Sequence, residues 1–203
     1  MQIRLERETD YREVENLVRE AFWNVYRPGC TEHLVLHNLR NATCFVPELD
    51  YVVEEKGRII AQIAYAKGRL ETEDGRVVDS LLFGPVSVLP EWQGRGVGSR
   101  LIEFTLARAK ALGFPMVVIT GNPAYYCRFG FVPAAQHGIY LQGMDLSAST
   151  PFFLANILDA AKAAGLHGVH VDPPCYEVDS KALEAFDRDF PPKVKMVCPG
   201  QLV

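Results

Sequence analysis

The sequence predicts an α/β fold, a mixed twisted β-sheet with helices on both faces. Three observations carry this. Val86-Ser87-Val88 leads through a glycine-rich loop into a helical stretch, and the apolar run Pro115–Thr120 follows; strand, loop, helix and strand make one βαβ crossover. Tyr51–Glu55 and Arg58–Tyr65 flank a tight Lys56-Gly57 turn and read as a hairpin. The length of 203 residues suits one domain, and 48% hydrophobic against 23% charged residues excludes disordered and collagen-like classes.

Taken in order, Gln2–Glu6 alternates as a short strand, and Tyr11, Val14, Leu17, Val18 and Phe22 fall at helical spacing over residues 10–22. Arg27-Pro28-Gly29 breaks that helix, and Thr31 starts a second one that ends near Asn41. Phe22, Trp23 and Tyr26 lie at the junction, where core packing is the simpler reading and lining a substrate pocket is the other. His33 and His37 share a helix face but lack a third ligand, so surface or cap histidines are expected and no metal site. A further strand runs from Val77 to Leu89, and its internal Gly84-Pro85 removes a ladder donor, the mark of a bulge, an edge or a splay.

The loop between strand and helix is Gln93-Gly94-Arg95-Gly96-Val97-Gly98-Ser99. Glycines at alternate positions leave backbone N–H groups uncovered where a helix begins, with Arg95 and Arg100 nearby, and such a cradle suits a pyrophosphate. A dinucleotide loop wants a third glycine where Ser99 stands, and a P-loop wants a lysine that is missing. Ile102, Leu106, Ala109 and Leu112 then give the helix a buried stripe, with Gly113 as its stop.

Gln93-x-x-Gly96-x-Gly98, behind a Pro90-Glu91 turn, resembles the acyl-CoA loop of the GCN5-related N-acetyltransferase (GNAT) family. A second match follows the next strand: Asn122, then Tyr126, three residues, and Gly130-Phe131. The wording Tyr125-Tyr126-x-Arg128-Phe129-Gly130-Phe131 is similar to one bacterial branch of that family. The resemblance covers residues 1–131 and implies a GNAT-type sheet with splayed central strands. It implies acetyl-CoA as donor, bound by the backbone of Val86 and Val88, by Gln93 to Ser99 and by Asn122, and direct transfer to an amine with Tyr126 as general acid.

A phenol suits that role, because the tetrahedral intermediate expels a thiolate and a nearby O–H can protonate the sulfur. Packing on the sheet is the structural reading of the same ring, and Tyr125 takes the role instead if the short helix is rotated. Asp79, Glu71 and Glu73 are candidate bases that spacing does not separate. Cys127 has no adjacent base and reads as a bystander. The alternative to an enzyme is a non-catalytic acyl-CoA-binding sensor or assembly module.

Pro151–Ala161 has helical composition, yet the family fold requires a strand at about Phe152–Leu158, which is the reading preferred here. The expected organisation is an acetyl-CoA-binding core over 1–146 and C-terminal strands with an appendage over 147–203, the appendage closing over the sheet or the cleft. A net charge of −4 gives no reason to expect nucleic acid. No apolar run approaches the roughly 20 residues of a membrane span, so a cytoplasmic protein is expected, with its five cysteines reduced. The acceptor that the resemblance implies is a small-molecule or peptide amine, and exposed sheet edges fit a homodimer.

Overall fold

The computed structural model describes residues 1–145 and 149–201; the expected boundary between 146 and 147 lies outside the described residues. In chain order the elements are β1 (Gln2–Leu5), α1 (Tyr11–Phe22), α2 (Glu32–Arg40), β2 (Tyr51–Glu55), β3 (Arg58–Thr72), β4 (Val77–Val88), α3 (Val97–Ala111), β5 (Met116–Thr120) and α4 (Pro123–Tyr126). There follow β6 (Val132–Pro133), β7 (Ile139–Leu141), β8 (Phe153–Ile157), α5 (Ala160–Ala163), β9 (Gly168–Val171) and α6 (Ser180–Asp187). The strands hydrogen-bond in the order β1-β2-β3-β4-β5-β8-β6, with β9 on β3 and β7 on β9, a mixed sheet flanked by helices. No helix among the described residues is long and apolar enough to cross a membrane.

The chain forms two compact units, and β3, β4 and α3 each run from one into the other. The first comprises Met1–Ala64, Pro85–Leu101 and Pro174–Val203. Here β1, β2 and β3 pair antiparallel, and the Lys56-Gly57 turn has both residues at positive φ, 51° and 78°, as a two-residue hairpin turn demands. Val14, Leu17 and Val18 of α1 and Leu34, Leu36 and Leu39 of α2 are buried, each worth about 1.5–3 kcal/mol against exposure.

The C-terminal segment from Pro174 carries the 3-10 turn Pro174–Tyr176 and α6. It straps the α1–α2 hairpin, because α1 carries a buried cation that needs a partner. Arg19 is 2% exposed; its Nε donates to Asp187 at 2.9 Å and its Nη1 to the Pro191 carbonyl at 3.0 Å. Trp23 Nε1 donates to the Val194 carbonyl at 2.9 Å, and Lys193 pairs with Glu20 at 2.8 Å. The strap also corrects two sequence readings. His33 is buried, not at the surface, with Nε2 at 3.1 Å from Asp187 and its ring between Phe186 and Phe190. Phe22 and Trp23 are half-buried and Tyr26 is exposed, so these rings are not core. Burial pushes the His33 imidazole down to about 4, although Asp187 opposes the shift, and pushes the neighbouring Cys30 thiol up to about 12.

The second unit comprises Tyr65–Gly84 and Ile102–Pro173. β4 and β5 run parallel, in register at Leu81↔Val117 and Leu82↔Val118. β5 continues to Thr120 against β8, from Met116↔Ile157 to Thr120↔Phe153, after its register with β4 has stopped. β8 is therefore the strand expected there, its helical composition overridden by ladders on both edges, to β5 and to β6. β3 runs to Thr72, beyond the predicted Tyr65, because β9 pairs with it from Arg69↔Val171 to Thr72↔Gly168. His170 is fully buried and joins Ser80 Oγ at 3.0 Å to Asp172 at 2.9 Å, tying β9 to β4.

Candidate active site

The residues that sequence analysis singled out fall into two local arrangements, one in each unit. In the first unit, the 3-10 turn Pro90–Trp92 leads from β4 into the glycine loop, and Val97, 2% exposed, anchors the start of α3. Gly94 and Gly96 lie at φ +71° and +76°, where any other residue is strained, and a Cβ added at either meets nothing within 4 Å. The space above the loop is open. The Arg100 N–H is the first in the helix to reach a carbonyl, that of Gly96 at 3.1 Å; the Gly98 and Ser99 amides ahead of it have no backbone acceptor among the described residues. Gly98 is itself helical. Arg95 is exposed with its guanidinium 5.2 Å over the Trp92 ring, and Arg100 is exposed.

Gln93 has a second part to play. Its side-chain Nε2 donates to the Val88 carbonyl at 3.0 Å, so the loop folds back on the end of β4. The Leu89 N–H points to β3, donating to Ile60 at 2.9 Å. Backbone groups alternate along a strand, so those of Val88 and Val86 turn away from β3. Sequence reasoning missed Gln62. It is fully buried, and its Nε2 donates both to the Pro85 carbonyl at 3.0 Å and to Ser87 Oγ at 3.1 Å, holding β4 just past the proline. A polar residue inside the apolar run Ile59–Tyr65 is the signal that marks it.

In the second unit, Asn122 caps α4: its Oδ1 accepts the Ala124 N–H at 3.0 Å and its carbonyl accepts those of Tyr125 and Tyr126. The cap fixes where the Tyr126 side chain leaves the helix. That half-buried ring lies among Phe83, Tyr125, Phe129 and Phe131, with centroids 5.0–6.4 Å away. Gly121, also unremarked in the sequence, is what admits it: a Cβ there runs into Tyr126 Cε2 and comes within 2.9 Å of Cδ2. Behind Phe83, buried Tyr65 bonds Thr105 Oγ1 at 2.9 Å, and burial pushes its phenol above the ordinary tyrosine range.

Cys127 is exposed. Asp79 is exposed and pairs with Lys67 at 3.5 Å, and Glu71 with Arg69 at 3.7 Å. Neither these nor Glu73 has surroundings that mark it as a base.

Residues 41–133 match the model of the acetyltransferase (GNAT) domain. The uncharacterised N-acetyltransferase YjhQ of Escherichia coli (strain K12) is 32% identical over 89 residues, 44% of this chain and 49% of YjhQ; the chain thus matches about half of that relative's length. The uncharacterised N-acetyltransferase YhbS of the same strain is 28% identical over 139 residues, 68% of this chain and 78% of YhbS. A crystal structure of Escherichia coli YhbS with CoA superposes with a TM-score of 0.74 at 23% identity, covering 86% of this chain and 91% of that one. A GNAT family acetyltransferase from Brucella melitensis, solved with acetyl-CoA, gives 0.67 at 27% identity, covering 87% and 97%. Over residues 41–133 the chain is similar to the GNAT acetyltransferase domain, and it shares its fold with solved GNAT family structures.

Proposed function

We propose that this chain transfers the acetyl group of acetyl-CoA directly to an amine of a small molecule or a peptide. The carrying observation is the glycine loop at the start of α3, with open space over Gly94 and Gly96 and uncommitted amides at the helix end. In this reading the backbone from Gln93 to Ser99 takes the pyrophosphate of the donor, with Arg95 beside it. The outward backbone groups of Val86 and Val88 pair with the pantetheine arm; the Val88 carbonyl already accepts from Gln93, which leaves its N–H for the ligand. Asn122 spends its Oδ1 on the helix cap and keeps its amide N–H to donate. Tyr126 hands its proton to the departing CoA thiolate as the amine nitrogen bonds to the acetyl carbon and the C–S bond breaks, and the proton that the nitrogen sheds returns through solvent to the phenol.

Support comes from the related Brucella melitensis enzyme, solved with acetyl-CoA, and from the local order around Tyr126. Thermal unfolding with acetyl-CoA, CoA and NAD added separately tests the donor. Either CoA species at about 100 times its dissociation constant stabilises by roughly 2.7 kcal/mol, and NAD does nothing. If neither CoA species moves the transition at millimolar concentration, the reading is wrong from its first step. Release of CoA thiol across a panel of amines then tests turnover. Binding without release for every amine in the panel favours the sensor.

A further inference from the structure

Cys44, four positions past the end of α2, and Cys175, in the 3-10 turn Pro174–Tyr176 at the root of the strap, are 131 positions apart in the chain. Their sulfurs are 3.4 Å apart. No other two of the five cysteines, all of which are described, have sulfurs in hydrogen-bonding contact. Both are half-buried. Closing the gap to a disulfide length of about 2.05 Å asks for some 1.4 Å of combined movement, within reach of side-chain torsions.

The remaining thiols are placed differently. Cys30 is buried beside His33 at 3.4 Å, and burial holds its proton. Cys127 is exposed and contacts the Ala124 carbonyl of the short helix just before it, and Cys198 lies in the tail near the Met196 carbonyl.

We propose that Cys44 and Cys175 form a reversible oxidation site, closed by a peroxide and reopened by a dithiol, that fastens the strap to the end of α2. One thiol attacks the peroxide O–O bond and becomes a sulfenic acid, and one oxygen leaves as water or alcohol. The second thiol attacks that sulfur and expels the other oxygen as water. Two electrons have then passed from the thiols to the peroxide, and one S–S bond joins the two residues. A dithiol reverses this by exchange, returning two hydrogens and leaving as its own disulfide. The bond ties two segments far apart in sequence, so it restricts the unfolded chain far more than the folded one, where the sulfurs already touch.

The test uses the full reduced chain treated with hydrogen peroxide. Peptide mapping without reductant recovers the Cys44 peptide joined to the Cys175 peptide, the pair lighter by two hydrogens, and thermal unfolding moves up by about 5 °C or more. Dithiothreitol restores both. Cys44→Ser and Cys175→Ser each remove the crosslink and the shift while the reduced protein unfolds nearly where wild type does, and Cys127→Ser changes neither. The proposal is overturned if Cys44 and Cys175 are recovered as thiols or as separate sulfinic acids while Cys127 is oxidised. It is equally overturned if the crosslink forms and the transition does not rise.

Discussion

The glycine loop and the Tyr126 turn meet opposite demands. The loop keeps side chains away: Gly94 and Gly96 hold φ values that favour glycine, and nothing stands over them. The Tyr126 turn is crowded, its ring ranged among four other rings and admitted only because residue 121 has no side chain. In the function proposed above, one region offers backbone to the donor and the other aims one hydroxyl. Binding and chemistry should therefore separate when each is altered alone.

The largest separation is expected for Tyr126→Phe. Turnover falls about 10²–10⁴-fold, the usual worth of a positioned proton donor, while the thermal shift with CoA stays as in wild type. Loss of the shift with turnover intact would break the comparison outright.

Acid sensitivity sharpens it by belonging to neither region. His33 has its pKa lowered to about 4 in the folded state against an ordinary 6.5, so between those values the unfolded chain binds the extra proton. Stability from this group is thus present above pH 6.5 and is lost as pH falls towards 4, by up to about 3 kcal/mol. Urea unfolding from pH 7 to 4.5 reads this slope, and His33→Asn flattens it. Asp50 has the opposite sign: burial and nearby Glu6 raise its pKa, so its contribution declines as pH rises above the ordinary carboxylate value.

Gly96→Val comes next, placing a branched side chain at φ +76° and over the amides. The dissociation constant for acetyl-CoA rises about 10–100-fold, or roughly 1.4–2.7 kcal/mol, measured by calorimetry, and saturated turnover changes little. The smallest effect is expected for Gly121→Ala, whose methyl displaces the Tyr126 ring. Overpacking costs about 1–3 kcal/mol of stability, turnover falls about tenfold, and CoA affinity is unchanged.

These two regions were also the most legible in sequence, for related reasons. A loop that must expose amides shows its glycines, and a helix that must start at a fixed place shows Asn122-Pro123. The limits of α1, α2, β4 and β5 followed equally from periodicity and breakers. What sequence did not reveal depended on partners far along the chain. β8 resembles a helix until β5 and β6 pair with it, and β3 outruns its pattern because β9 arrives from a hundred residues away. His33 looks like a surface residue until Phe186, Asp187 and Phe190 cover it. Gln62 is marked only by its polarity within the apolar run Ile59–Tyr65, and the sequence does not say that its partners are the Pro85 carbonyl and Ser87; the need for glycine at 121 shows only once the Tyr126 ring is placed beside it.

The pairing of Arg19 with Asp187 has a consequence for synthesis. α1 is made well before the carboxylate that balances its buried guanidinium, which lies 168 positions further along the chain. A ribosome-bound chain that stops short of residue 187 must leave Arg19 in water or bury it unmatched, at about 3–5 kcal/mol. The α1–α2 hairpin therefore completes the pairing of its buried cation only after residue 187 has been made.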